Sequence, residues 1–127
     1  MQPELSLDER VELTRVIFRI LKRWQIPEAL MGPLLGLGEG LQRRQLNRYR
    51  LGNPLPQEAE IQQRLLLLIQ IDKALSSLFP HSALSANLWV TTPQQRCGNI
   101  TPLEEMVAGG MPAIRTVLLR LDNRLDW

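Results

Sequence analysis

Residues 88 to 106 contain the most distinctive pattern of the chain, Leu88-Trp89-Val90-Thr91-Thr92-Pro93, then a loop through Arg96, Cys97 and Gly98, then Thr101-Pro102-Leu103-Glu104-Glu105-Met106. An apolar helix end is followed by a turn-rich loop. The Thr101 hydroxyl is expected to accept an early backbone N–H of a new helix, with Pro102 at its first position and Glu104 closing a capping box. The sequence therefore predicts a sharp helix start at Pro102.

Apolar residues recur at helical spacing on both sides of this stretch, and no segment alternates every two residues. We therefore predict an all-α fold without a sheet. Pro33 disturbs the second helix, because an interior proline removes one backbone bond, so a start near Leu30 is the alternative to a start at Glu28. The predicted helices are Leu7 to Trp24, Glu28 to Leu35, Leu41 to Arg50, the long helix Gln57 to Phe79, about Ser82 to Trp89, Pro102 to Ala108, and Pro112 to about Arg124, the last two separated by Gly109-Gly110.

Gly52-Asn53-Pro54-Leu55-Pro56 is the strongest punctuation of the chain and predicts a boundary between two regions. Residues 1–52 are predicted to form a three-helix bundle of the helix-turn-helix type, in which Leu41 to Arg50 would lie in the major groove of DNA. Residues 53–127 are predicted to hold the long helix 57–79 and a C-terminal helical subdomain.

Bulk composition indicates an ordered globular protein, with 127 residues, 44% hydrophobic and 22% charged residues. The longest apolar run is short, and residues 1 to 25 mix acids and bases, so we expect no membrane span, no signal peptide and a cytoplasmic location. A single cysteine, Cys97, and a single histidine, His81, exclude an internal disulfide and a Cys/His metal cage. We expect no cofactor and no catalysis, and interpret Cys97 as a small loop residue.

Basic residues concentrate in the first half, where nine Lys/Arg face six Asp/Glu in residues 1–52. The segment Leu41 to Gly52 contains no acid, and its arginines and amides suit phosphates and base edges. A solvated helix face without acids is an equally simple interpretation. The candidate DNA-binding residues are Arg43, Arg44, Asn47, Arg48 and Arg50.

The order of several spaced motifs resembles the toxin-binding domain of Xre/MbcA/ParS-type antitoxins. Those motifs are Leu78-Phe79-Pro80, Trp89, Thr92-Pro93, Gly98, Thr101 to Met106, Gly109-Gly110 and Leu121-Asp122. Leu34-Leu35-Gly36 and Leu46-x-x-Tyr49-x-x-Gly52 are similar, more loosely, to the family's helix-turn-helix. Between Gly36 and Leu46 the chain holds about four residues more than the family's turn, and Pro33 is a second departure.

The resemblance implies an antitoxin of a type II toxin–antitoxin pair that is itself no enzyme. Such a protein neutralises a RES-domain toxin, an enzyme that consumes NAD, by occluding its active site, and represses its own operon. Its partners would be the toxin and operator DNA, and it would form a homodimer or a larger hetero-oligomer with toxin. The implied toxin-binding residues lie on the last helix and tail: Arg115, Arg120, Asp122, Arg124, Asp126 and Trp127.

Two alternatives belong to other classes of protein. The chain could be a stand-alone transcription regulator whose C-terminal part only dimerises it, which would bind DNA with a steep salt dependence and have no enzyme partner. It could also be a helical scaffold whose helix-turn-helix no longer binds DNA. Trp89, Pro93, Gly98 and Pro102 also have a simple packing interpretation, as an aromatic anchor, a turn and a helix start.

Overall fold

The chain folds into helices over the residues that its computed structural model describes, 5–95 and 98–125, with side chains up to Asn123. The all-α prediction is confirmed, and within these ranges the one extended pairing is an isolated bridge between Gln94 and Ile100. No helix in the described ranges is long and apolar enough to cross a bilayer. The helices are α1 (Leu7–Arg23), α2 (Glu28–Leu35), α3 (Arg43–Arg50), α4 (Ala59–Leu78), α5 (Ala83–Leu88) and α6 (Pro102–Leu125), with a 3-10 turn at Trp89–Thr91.

Local sequence signals set several helix ends. Ser6 caps α1, because its hydroxyl accepts from the Glu9 N–H while the Glu9 carboxylate accepts from the Ser6 N–H. Thr101 caps α6 as predicted, accepting from the Glu104 N–H at 3.0 Å. Helix α3 begins at Arg43 rather than Leu41, since the Gln42 N–H donates to the Gln45 side chain and Gln42 stays extended.

The predicted bounds of α2, Glu28 to Leu35, are confirmed, and the alternative start near Leu30 is wrong. The helix begins at Glu28 and contains Pro33 in its interior. A proline there lacks the N–H that would bond to the Ala29 carbonyl, so one helical bond is missing. Only two further helical residues, Leu34 and Leu35, follow before Gly36 ends the helix in a left-handed conformation, so the helix is disturbed only in its last turn.

Residues 53–58, at the predicted boundary, have no regular secondary structure, and Leu55 ties them to α1. The Leu55 N–H donates to the Thr14 hydroxyl at 2.9 Å, and the Leu55 carbonyl accepts from Arg10. The predicted long helix 57–79 accordingly begins two residues later, at Ala59. Leu55 is fully buried, and a single hydrophobic core runs from Ile17 of α1 to Leu121 of α6.

Helix α6 is divided where the sequence predicted a break. Gly110 has φ 68° and ψ −152°, a backbone conformation that a residue with a Cβ rarely adopts. The first arm of α6 (102–109) buries Leu103 and Met106, and the second arm (111–125) buries Ile114, Val117 and Leu121. Arg120 of the second arm donates two bonds of 3.0 Å to the Glu105 carboxylate of the first arm, which fixes the angle between the arms.

Arg64 of α4 lies where α2 ends and α6 breaks, with 11% of its side chain exposed. Its Nη1 donates to the carbonyls of Pro33 at 3.1 Å and Leu34 at 3.3 Å, and its Nη2 pairs with Glu60 at 3.0 Å. These carbonyls belong to the last turn of α2, where no following helical N–H group is present to bond to them. The guanidinium therefore caps α2 from a neighbouring helix.

We predict that Arg64→Met destabilises the fold by about 2–4 kcal/mol, because the buried end of α2 loses its donors. The free energy of unfolding in urea measures the loss. The control is Glu60→Gln, whose side chain is 60% exposed and whose removal should cost less than about 1 kcal/mol. Equal effects of the two substitutions would contradict the capping role of Arg64.

Candidate nucleic-acid and partner surfaces

Two residues of α3 fix which of its faces points outward. Leu46 is buried in the core, and the Tyr49 ring stacks on Phe18 of α1 with a centroid distance of 6.2 Å and an interplanar angle of 22°. The five predicted DNA-binding residues are all exposed on the same helix. Their electrostatic surroundings differ, because a carboxylate of α2 lies against one side of α3 only.

Glu28 of α2 binds two of the four arginines. Its carboxylate accepts from Arg43 Nε at 3.1 Å and from Arg50 Nη1 at 3.4 Å, and Arg50 also donates to Asn47 at 3.1 Å. The pKa of Glu28 is lowered, first by its hydrogen bond to Arg43 and further by the charges of Arg43 and Arg50. Arg43, Asn47 and Arg50 are thus held in an intramolecular network that sequence reasoning on α3 alone did not find.

Arg44 and Arg48 occupy the outward face of α3, one helical turn apart. Both are exposed, and neither forms an ion pair with a residue of the described ranges. Leu51, immediately after α3, is also exposed on this side. These two arginines are therefore the cations of α3 that are available to an external anion.

The connection between α2 and α3 is longer than a helix-turn-helix turn. It runs from Gly36 to Gln42, seven residues, whereas the motif usually has three or four. The additional residues counted in the sequence form a loop rather than further helix, and the Leu37 N–H bonds back to the Gly32 carbonyl. The spacing of α2 and α3 consequently departs from that of a standard helix-turn-helix.

An open groove of about 780 Å³ between α1, α2 and α3 is a feature that sequence reasoning missed. We name it the basic groove. Phe18, Met31 and other apolar side chains line it together with the carboxylate of Glu28. The sequence could have indicated this groove, because Arg15, Arg19 and Lys22 follow an i, i+4, i+7 spacing that places them on one face of α1. Its cations are Arg15, Arg19, Lys22 and Arg50.

The second arm of α6 carries three of the residues implied by the resemblance as toxin-binding, and they differ in accessibility. Arg115 is exposed and donates to Gln63 of α4 at 3.4 Å. Asp122 is exposed and lines a shallow groove with Gln70 and Lys73 of α4. Arg120 is half-buried in its ion pair with Glu105, so this guanidinium is already engaged within the chain.

The remaining residues of that set lie outside the described part of the chain. Asp126 and Trp127 follow the last described residue. The backbone of Arg124 belongs to α6, and its side chain is not among those that the structure describes. Cys97 is likewise outside it, whereas His81 is exposed. Among the described residues, no group of three or more His, Cys, Asp or Glu side chains is placed to hold a metal ion.

Comparison with known proteins assigns no family to this chain. No protein-family model matches the sequence, and no curated protein is significantly similar to it. Of the residues that carry the antitoxin resemblance, Trp89, Met106 and Leu121 are buried and Gly110 makes the break in α6, whereas Pro93 and Gly98 are exposed. The buried positions agree with the packing interpretation of the motif.

We predict that Arg43→Ala raises the pKa of Glu28 towards its ordinary value of 4.5. A lowered pKa means that the folded state gains stability from the ionised carboxylate above its ordinary pKa, and loses it as the pH falls through the folded pKa. Carboxyl-carbon NMR titration measures the shift. Glu9, whose pKa is lowered by Ser6, is the internal control and should not move; an unchanged Glu28 midpoint would contradict the pairing with Arg43.

Proposed function

We propose that this protein is an antitoxin that binds operator DNA through α3 and neutralises a RES-domain, NAD-consuming toxin through the end of α6. The protein is no enzyme in this proposal and acts by occupying its partner's active site. The observation that carries the proposal is the arrangement of α6, whose second arm is anchored to the core by Ile114, Val117 and Leu121 and to the first arm by the Arg120–Glu105 pair. That arm continues directly into the polar, aromatic tail of the sequence.

The outward face of α3 supports the DNA-binding part of the proposal. Arg44 and Arg48 extend from a helix whose opposite side is anchored by Leu46 and Tyr49. Guanidinium groups in this position suit phosphates and the O6 and N7 atoms of guanine. Arg43, Asn47 and Arg50 lie beside them but must compete with Glu28, so we assign them a secondary role.

The exposed side of α6 supports the toxin-binding part. Arg115, Leu119 and Asp122 lie on the second arm with Leu119 largely exposed, although its neighbours Leu118 and Leu121 pack inward. A large apolar side chain with charged neighbours on a rigid helix is a usual component of a protein interface. With the tail residues Arg124, Asp126 and Trp127, this side would form the plug that enters the toxin's cleft.

We predict that Arg44→Ala with Arg48→Ala weakens binding to the DNA upstream of the gene and leaves toxin binding unchanged. Each lost phosphate contact should reduce the slope of log affinity against log salt by about 0.9. Fluorescence anisotropy over a salt series measures both quantities. The control is Lys73→Ala, which removes an exposed cation of α4 away from the α3 surface and should change affinity little. Unchanged affinity in the Arg44/Arg48 variant would identify α3 as a solvated face.

We predict that deleting Asn123 to Trp127 abolishes neutralisation while preserving the fold, because Leu121, the last buried residue of α6 among those described, is retained. Circular dichroism checks the helical content, and rescue of growth in cells that express the neighbouring toxin gene checks neutralisation. Leu84→Ser, an exposed change on α5, is the control and should rescue fully. Full protection by the truncated chain would remove the plug from the proposal.

The second candidate is a stand-alone transcription regulator, favoured by the exposed Leu119 if the C-terminal helices pair with a second copy. It shares the DNA-binding surface of α3 and differs in having no enzyme partner. Co-purification of the chain with the product of its neighbouring gene separates the two candidates. Specific DNA binding without any such complex would favour the regulator.

A further inference from the structure

Helix α1 separates its exposed charges by sign along its length. Asp8 and Glu12 occupy the N-terminal half of one face, and Arg15, Arg19 and Lys22 occupy the C-terminal half of the same face. Their spacing of four and three residues places all five on one stripe, about 21 Å long at 1.5 Å per residue. We call this the α1 stripe.

The charges of the α1 stripe are not used inside the chain. All five side chains are exposed, and none forms an ion pair with a described residue. The neighbouring Arg23, by contrast, binds Asp72 of α4 in a bidentate pair with distances of 2.8 and 3.1 Å. A carboxylate half and a cationic half therefore remain available on the same straight helix.

We propose that the α1 stripe is the interface of a homodimer, in which a second copy of α1 packs antiparallel across a two-fold axis between Glu12 and Arg15. An antiparallel copy brings its acidic half onto the basic half of the first. Asp8 then lies opposite Arg19 of the second copy, and Glu12 lies opposite Arg15. The two-fold axis repeats both pairs, so the contact has four opposite-charge pairs and is complementary to itself.

The basic groove supplies the apolar part of this interface. Arg15, Arg19 and Lys22 line it together with Phe18 and Met31. Leu7, at the start of α1, is 61% exposed and directly precedes Asp8, the first acidic residue of the stripe. In the antiparallel pair, Leu7 of the second copy reaches the level of Ile20 on α1, close to Phe18, which lines the groove. An otherwise unexplained exposed leucine thereby gains a partner.

The sign pattern favours a second copy of this chain over nucleic acid as the occupant. Phosphates would be attracted to Arg15 and Arg19 but repelled by Asp8 and Glu12 on the same stripe. A copy of α1 matches both halves at once. This inference does not depend on the proposed function, because it concerns α1 and makes no use of α3 or the α6 tail.

Reversing the charges tests the interface. Arg15→Glu with Arg19→Glu, and separately Asp8→Lys with Glu12→Lys, should each raise the dimer dissociation constant at least about a hundredfold, because attractive pairs become like-charge pairs. Mixing the two variants should restore a heterodimer, which native mass spectrometry distinguishes from either homodimer. Raising the salt concentration should weaken the wild-type dimer, since exposed pairs are screened. Sedimentation velocity gives the dissociation constants.

The matched control is Arg44→Glu with Arg48→Glu, the same change at the same spacing on α3, which should leave the dimer intact. Circular dichroism confirms folding; if a reversed variant unfolds, the milder pair Asp8→Asn with Glu12→Gln and Arg15→Gln with Arg19→Gln replaces it. A monomeric wild-type chain, dimers that survive either reversal, or folded variants that fail to pair on mixing would each overturn the inference. Loss of DNA binding by Arg15→Glu with Arg19→Glu in a monomeric protein would assign the stripe to DNA and also overturn it.

Discussion

The arrangement of the helices depends on the hydrogen bonds that the guanidinium group of Arg64 donates. A helix that ends inside a protein leaves carbonyls that need donors, and Arg64 supplies them to Pro33 and Leu34 of α2. It fits there because glycines approach it on both sides: a Cβ at Gly36 would lie 3.0 Å from Arg64 Nε, and one at Gly110 would lie 3.4 Å from Nη2. One buried cation thus joins the N-terminal helices, α4 and the break in α6.

The pairing of charges within the fold decides which of them can reach a partner. Glu28 engages Arg43 and Arg50, and Glu105 engages Arg120, so these guanidinium groups are partly neutralised before any ligand arrives. An external phosphate or carboxylate must compete with an existing ion pair at such positions. The accessible cations are those whose neighbours carry no acid, which on α3 are Arg44 and Arg48.

Much of the fold was predictable because its signals are local. Ser6 and Thr101 begin helices through hydroxyl caps, and Gly110 interrupts α6 because the backbone conformation there favours glycine. The candidate surfaces were predicted less completely. The sequence identified the arginines of α3 but not their contact with Glu28, which is fifteen residues from Arg43. The toxin-binding residues that the resemblance implies at the end of α6 lie partly outside the described residues.

The amino-acid sequence by itself determined the helical class, the caps, the break in α6 and the acidic and basic halves of α1, since each depends on residues within a few positions of one another. The tertiary structure alone decided the role of Arg64, the packing of the boundary segment around Leu55 and the basic groove between three helices. These features join residues distant in the chain, and an arginine has the same local pattern whether it caps a buried helix, pairs with a carboxylate or faces solvent.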